Sequence, residues 1–137
     1  MTKSDILNAL DNLGFSVDEL NEHFIHFEYE EVNYIYSYDD TDEDFLHLSI
    51  PAIFQVTDDN ADMVMSVINH ANNIIKYAKI FYSQELVWAT FEYPLFEWVN
   101  LEEILEFAIK VLQNAAVTFN RILRGDFDDI NGEEEEQ

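Results

Sequence analysis

His23-Phe24-Ile25-His26-Phe27-Glu28-Tyr29-Glu30-Glu31-Val32-Asn33-Tyr34-Ile35-Tyr36-Ser37-Tyr38 is the stretch that decides the fold. On either side of Glu30-Glu31 the pattern repeats every two residues. Ile25, Phe27 and Tyr29 share one face with His23, and Phe24, His26 and Glu28 take the other. Val32, Tyr34, Tyr36 and Tyr38 then alternate with Asn33, Ile35 and Ser37. A period of two marks a β-strand, and two strands parted by two residues form a tight hairpin. Glu-Glu is not a favoured pair for such a turn.

Working outward, Asp39-Asp40-Thr41-Asp42-Glu43-Asp44 reads as a solvated loop, and Phe45 to Val56 as a third strand. That strand sets Leu46, Leu48, Ile50, Ala52 and Phe54 on one face, and Pro51 predicts a bend or an edge position. Upstream, Ile6, Leu7, Leu10 and Leu13 recur at helical spacing between a cap at Thr2 or Ser4 and a stop at Gly14. A second helix is predicted over 59–79. Its cap lies among Asp58, Asp59 and Asn60, and its apolar stripe is Ala61, Val64, Val67, Ile68, Ala71, Ile74, Ile75 and Ala78. Two more strands, Ile80–Ser83 and Leu86–Tyr93, join at Gln84-Glu85. Asn100 to Glu103 forms a capping box that opens a last helix ending at Gly125.

The order α-β-β-β-α-β-β-α, with short links between successive strands, predicts an α+β fold: a twisted antiparallel five-stranded sheet packed with helices. Residues 1–125 are expected to form a single domain. Residues 126–137, with Glu133 to Glu136 in a row, are expected to be a disordered acidic tail.

The chain has 137 residues, 48% hydrophobic and 15% aromatic, which excludes wholesale disorder. It has no cysteine, so disulfides, thiol catalysis and thiolate metal sites are excluded. Its 29 acids against 6 bases give a net charge of -23, which argues against nucleic-acid phosphates or an anionic membrane as partner. The absence of a basic-then-apolar leader and of a long apolar run leads us to expect a cytoplasmic protein. The charge is uneven. Residues 1–57 carry 13 acids and one base, whereas the two long predicted helices, 59–79 and 99–124, are each neutral. Neutral helices are surfaces where another chain can dock without Coulomb repulsion.

No dedicated chemistry emerges from the polar residues. His23 and His26 point to opposite faces of one strand and cannot chelate one ion together. Asp40-x-Asp42-x-Asp44 imitates the start of a calcium loop, but Phe45 and Pro51 stand where such a loop needs Gly and Glu. Asp126-x-Asp128 has Ile130 where a third ligand belongs. No Ser sits in a nucleophile elbow, and no Gly-rich loop could cradle a phosphate. We therefore expect no catalytic residue, no cofactor and no metal.

The aromatic residues are the better lead. Tyr34, Tyr36 and Tyr38 line one strand face, and the Pro94–Val99 link carries Leu95, Phe96 and Trp98. Each group admits two readings, core packing or a partner-binding face, because Tyr and Trp are enriched at interfaces. Tyr34, Tyr36, Tyr38, Phe96 and Trp98 are the candidate partner-binding residues. Val64, Ile68, Ala71 and Ile75 are the candidate dimer contacts.

The element order, the acidic balance and the stretch Ile68-Asn69-His70-Ala71-Asn72-Asn73-Ile74-Ile75-Lys76-Tyr77-Ala78-Lys79, followed by a two-strand unit, resemble the YbjN family. Its members are labelled bacterial sensory transduction regulators and share the fold of type III secretion chaperones. The likeness covers about residues 4–124; the apolar 94–99 link and the acidic end depart from it. The resemblance implies a small, cytoplasmic, dimeric protein with no enzymatic site to carry over. The expected function is thus a non-enzymatic protein-binding module, a chaperone-like or regulatory homodimer. The alternative is an acidic inhibitor, a toxin-immunity protein or DNA mimic, working through its negative surface.

Overall fold

The computed structural model describes residues 2–125. Thr2 opens α1 (Lys3–Asn12) with a complete capping box, its hydroxyl accepting from the Asp5 amide while the Asp5 carboxylate accepts from the Thr2 amide. Next comes β1 (Val17–Glu19), then the hairpin of β2 (Phe24–Tyr29) and β3 (Val32–Ser37), and then β4 (Phe45–Gln55). Helix α2 (Ala61–Ile74) leads into a second hairpin, β5 (Ala78–Ser83) and β6 (Leu86–Pro94), and α3 (Leu101–Leu123) is the last element of the described residues. Asn100 caps α3, its side chain accepting from the Glu103 amide at 3.0 Å.

The α+β architecture and the antiparallel pairing match the sequence reading, but the sheet has six strands rather than five. The extra one, β1, has three residues, two of them acidic. Too short to alternate, it gives no periodic signal and exists by pairing with β2 from Val17↔Phe27 to Glu19↔Ile25. The strand order is β1-β2-β3-β4-β6-β5, so β5 and β1 are the edges.

Both hairpins turn on two residues with positive φ, Glu30 and Glu31 in the first and Gln84 and Glu85 in the second. That geometry matches the strand twist, although neither pair contains the Gly or Asn that adopts it cheaply. Pro51 does not mark an edge: β4 is central, paired with β3 and β6. The register shifts between Ile50 and Phe54, with Ala52 at φ 54°, so the proline sits in an irregularity of an interior strand.

Helix α2 stops at Ile74, short of the expected 79, and Ile75 is extended. Lys76 therefore lies beyond the helix and Lys79 in β5. In α3, Arg121 does stand in the last turn. The expected acidic tail, 126–137, lies outside the described residues.

One face of the sheet and the inner sides of the helices make the core. Ile25 and Phe27, Tyr34 and Tyr36, Leu46 and Leu48, and Ala89 and Phe91 supply it from four strands. Val64 and Ala71 of α2 and Leu105, Leu112 and Phe119 of α3 meet them. The opposite face belongs to the alternate residues, and among the described residues no helix covers it.

Candidate partner-binding surface

Tyr34 and Tyr36, expected among the partner-binding residues, are core residues instead. They are 0% and 3% exposed, and Tyr34 stacks on Phe27 with ring centroids 5.2 Å apart. Their face of β3 is the one the helices cover. Burial pushes both hydroxyls up to about 12. Tyr38, further along, is half-buried, and its hydroxyl donates to Glu43 Oε1 at 2.8 Å.

Phe96 and Trp98 do reach the surface, 44% and 80% exposed, with rings stacked 4.7 Å apart and nearly parallel. Leu95 turns inward into the core and Val99 packs against it, so only part of the apolar link lies at the surface. Val64, Ile68 and Ala71, expected at a dimer contact, are buried under the chain's own α3 and sheet, and Ile75 is half-buried. A helical stripe signals burial without saying against what, and here the covering surface is intramolecular.

The histidines are held by neighbours within the chain. His26 Nε2 lies 2.8 Å from Asn33 Oδ1, and His23 Nδ1 lies 3.3 Å from the Tyr38 carbonyl. Among the described residues no group of three His, Asp or Glu is arranged to hold a metal ion. In the acidic loop Asp39 Oδ1 accepts from the amide and hydroxyl of Thr41, which holds its carboxyl below the usual range.

The surface that sequence reading missed is the uncovered side of the sheet. Register places Phe24, His26 and Ile35 on it from the first hairpin. Ser49 lies opposite Ile35, Thr90 opposite Ser49, and Phe81 opposite Trp88. The Phe81 and Trp88 rings stack 6.3 Å apart. Trp88 Nε1 is buried with no hydrogen-bond partner among the described residues, so packing holds that ring. Between these aromatics and Phe24 runs a shallow, mainly apolar groove of about 410 Å³, with Leu20 at its margin.

A small polar chain crosses the floor. His47 Nε2 is 2.9 Å from Thr90 Oγ1, which is 2.7 Å from Ser49 Oγ. Desolvation lowers the His47 pKa, Lys79 lowers it further, and Glu92 opposes both. Burial thus favours the neutral imidazole, which packs within this polar chain. The signal for this face was present in the sequence: Phe24, Ile35, Phe81 and Trp88 are apolar where an alternating strand should show polar residues to water.

No protein-family model matches the chain, and no curated protein matches it. Solved structures do resemble it. YbjN of E. coli, a proposed transcription regulator, is 15% identical with a TM-score of 0.66, covering 85% of this chain and 86% of its own. An uncharacterised protein of Methanothermobacter thermautotrophicus is 12% identical with a TM-score of 0.65, covering 93% and 99%. The ExsC–ExsE complex supplies a third, 14% identical with a TM-score of 0.61, covering 90% and 97%. The chain therefore has a YbjN-like, type III secretion chaperone-like fold.

Proposed function

We propose that this protein is a non-enzymatic, cytoplasmic protein-binding module, acting as a chaperone-like or regulatory homodimer on another polypeptide. The observation that carries the reading is the uncovered sheet face, whose groove is mainly apolar although the helices of the described residues pack on the other side. The exposed Phe96–Trp98 stack adds a second apolar contact. The fold neighbour from the ExsC–ExsE complex was itself solved with a protein partner. Among the described residues no helix is long and apolar enough to cross a membrane.

Affinity capture from lysate at low and at physiological salt tests this reading. A polypeptide retained at both salts, and lost when Phe96 and Trp98 or the sheet face are altered, is the expected result. Failure to retain any polypeptide counts against it.

Val64, Ile68 and Ala71 are buried within the chain, so we place the dimer contact on the outward side of α2, at Met65 and Asn69, where the surrounding helix carries little charge. Light scattering at low micromolar concentration should give a dimer that Met65→Glu splits without lowering the melting point. A monomer at low and moderate salt would refute the homodimer.

The acidic-inhibitor reading is favoured by one specific feature: residues 4–75 hold 16 acids and no Lys or Arg. A partner held by that field alone would bind steeply more weakly as salt rises, whereas a groove-bound partner would respond little.

A further inference from the structure

Both routes by which another chain could extend the sheet are obstructed. The outer edge of β5 is occupied at Ile80, whose backbone amide and carbonyl are both bonded to the side chain of Asn72 at 2.8 Å. The other edge, β1, is three residues long and carries Asp18 and Glu19. A strand adds only at an edge, so a chain that binds at this sheet lies across its uncovered face. A helix with one apolar stripe suits such a layer, because helix-on-sheet packing is how this kind of face is ordinarily covered.

Charge selects the occupant. Asp18, Glu28 and Glu92 stand on the strands that form this face, and Lys79 is paired with Glu92 at 3.0 Å. A second copy on this face would set its Asp18, Glu28 and Glu92 against the same acids of the first. The chain's own residues 126–137 have seven acids and no base, so they are repelled as well.

We infer that the face formed by Leu20, Phe24, Ile35, Phe81 and Trp88 docks an amphipathic helix of a different polypeptide, apolar stripe inward and Lys or Arg along its flanks. The inference rests on the protein-binding reading and deepens it by naming the surface and the chemistry of the partner. Phe24 on one side and the Phe81–Trp88 pair on the other flank the groove as apolar anchors, and Asp18, Glu28 and Glu92 stand on the same strands: packing gives affinity, and charge gives selectivity and rate.

The test uses the full chain and two designed helical peptides of roughly 18 residues, long enough for five turns. Both carry Leu and Phe at i, i+3, i+4 and i+7; one has Lys on its flanks, the other Glu. Binding is read by anisotropy of the labelled peptide and by the two indole N–H signals in an NMR correlation spectrum. The Lys peptide should bind with an affinity on the order of micromolar and at least about tenfold more tightly than its Glu twin. It should move the Trp88 indole signal and leave that of Trp98 in place. Phe24→Asp and Leu20→Asp alter exposed side chains, so each should weaken binding by about tenfold or more with the melting point unchanged.

Equal binding of both peptides overturns the charge selection, and no binding of either overturns the inference. Binding that Phe24→Asp leaves intact, or that moves only Trp98, puts the site elsewhere; the protein-binding reading then survives. Self-association abolished by Phe24→Asp would make a second copy the occupant and overturn the choice of partner. The protein-binding reading fails separately, in the capture experiment.

Discussion

Asn72 and Ile80 form a closed two-bond pair: Asn72 Nδ2 donates to the Ile80 carbonyl and Asn72 Oδ1 accepts from the Ile80 amide, each at 2.8 Å. The carboxamide stands where the backbone of a seventh strand would be. An unpaired edge strand invites pairing with other chains, so this side chain both anchors α2 to the sheet and seals the edge at mid-strand. Asn72→Ala should cost about 1–3 kcal/mol, because two backbone groups lose their partners together. Denaturant unfolding would measure the loss, and the variant should also self-associate more readily. A variant as stable as the parent would show that water replaces the carboxamide without penalty.

The two hairpin turns store strain that substitution can release. Gln84 and Glu85 hold φ of 52° and 65°, values Asn and Gly adopt more easily. Gln84→Asn combined with Glu85→Gly should raise stability by about 1 kcal/mol, the gain coming from relief of the left-handed conformation. Thermal or chemical unfolding reads the change. A loss of stability would show that the β5–β6 turn needs the Glu85 side chain for something other than its backbone.

Acid should weaken the protein through His47. Its folded pKa lies below the ordinary value, chiefly because burial disfavours the charged form. The unfolded chain therefore takes up a proton that the folded chain refuses. Stability is full above the unfolded pKa and is lost as pH falls through it, a window beginning near about 6.5. Relative to His47→Gln, the parent should lose stability between neutral and mildly acidic pH. A difference independent of pH would mean that His47 titrates normally.

Alkali acts through Tyr34 and Tyr36. Their folded pKa values of about 12 exceed the ordinary tyrosine value of 10.0, so the folded chain keeps protons that the unfolded chain releases. Their contribution is complete below 10.0 and disappears as pH rises toward about 12. Absorbance titration should show a late-ionising pair among the seven tyrosines, merging with the rest in denaturant. Seven tyrosines ionising together in the folded protein would contradict the burial of this pair.

Salt should stabilise the chain. With a net charge of -23, screening of the crowded carboxylates lowers self-repulsion once the Debye length falls to about 10 Å. The melting point should rise between low and physiological ionic strength. A flat response would show that the charges stand too far apart to interact.

Legibility divided by the range of the physics. The alternation around Glu30-Glu31 gives β2 and β3, and the capping residues Thr2 and Asn100 place the starts of α1 and α3, because period and caps act within a few residues. The end of α2 was not readable. Lys76 and Tyr77 carry no stop signal, and the chain leaves the helix there as it turns into β5, where Asn72 bonds Ile80 across eight positions. Strand β1 was hidden for the same reason, being a pairing partner rather than a pattern.

From the order of residues alone follow the α+β class, the antiparallel hairpins, the acidic surface and the absence of thiol chemistry, since each depends on neighbours along the chain. Which side of every strand faces the helices is another matter. An alternating strand has two sides, and only the register across β2, β3, β4, β6 and β5 decides that Tyr34 and Tyr36 go inward while Phe24, Ile35 and Trp88 are left together outside. Hydrogen bonds between strands fix that register at long range, so the candidate docking face exists only once the sheet is assembled.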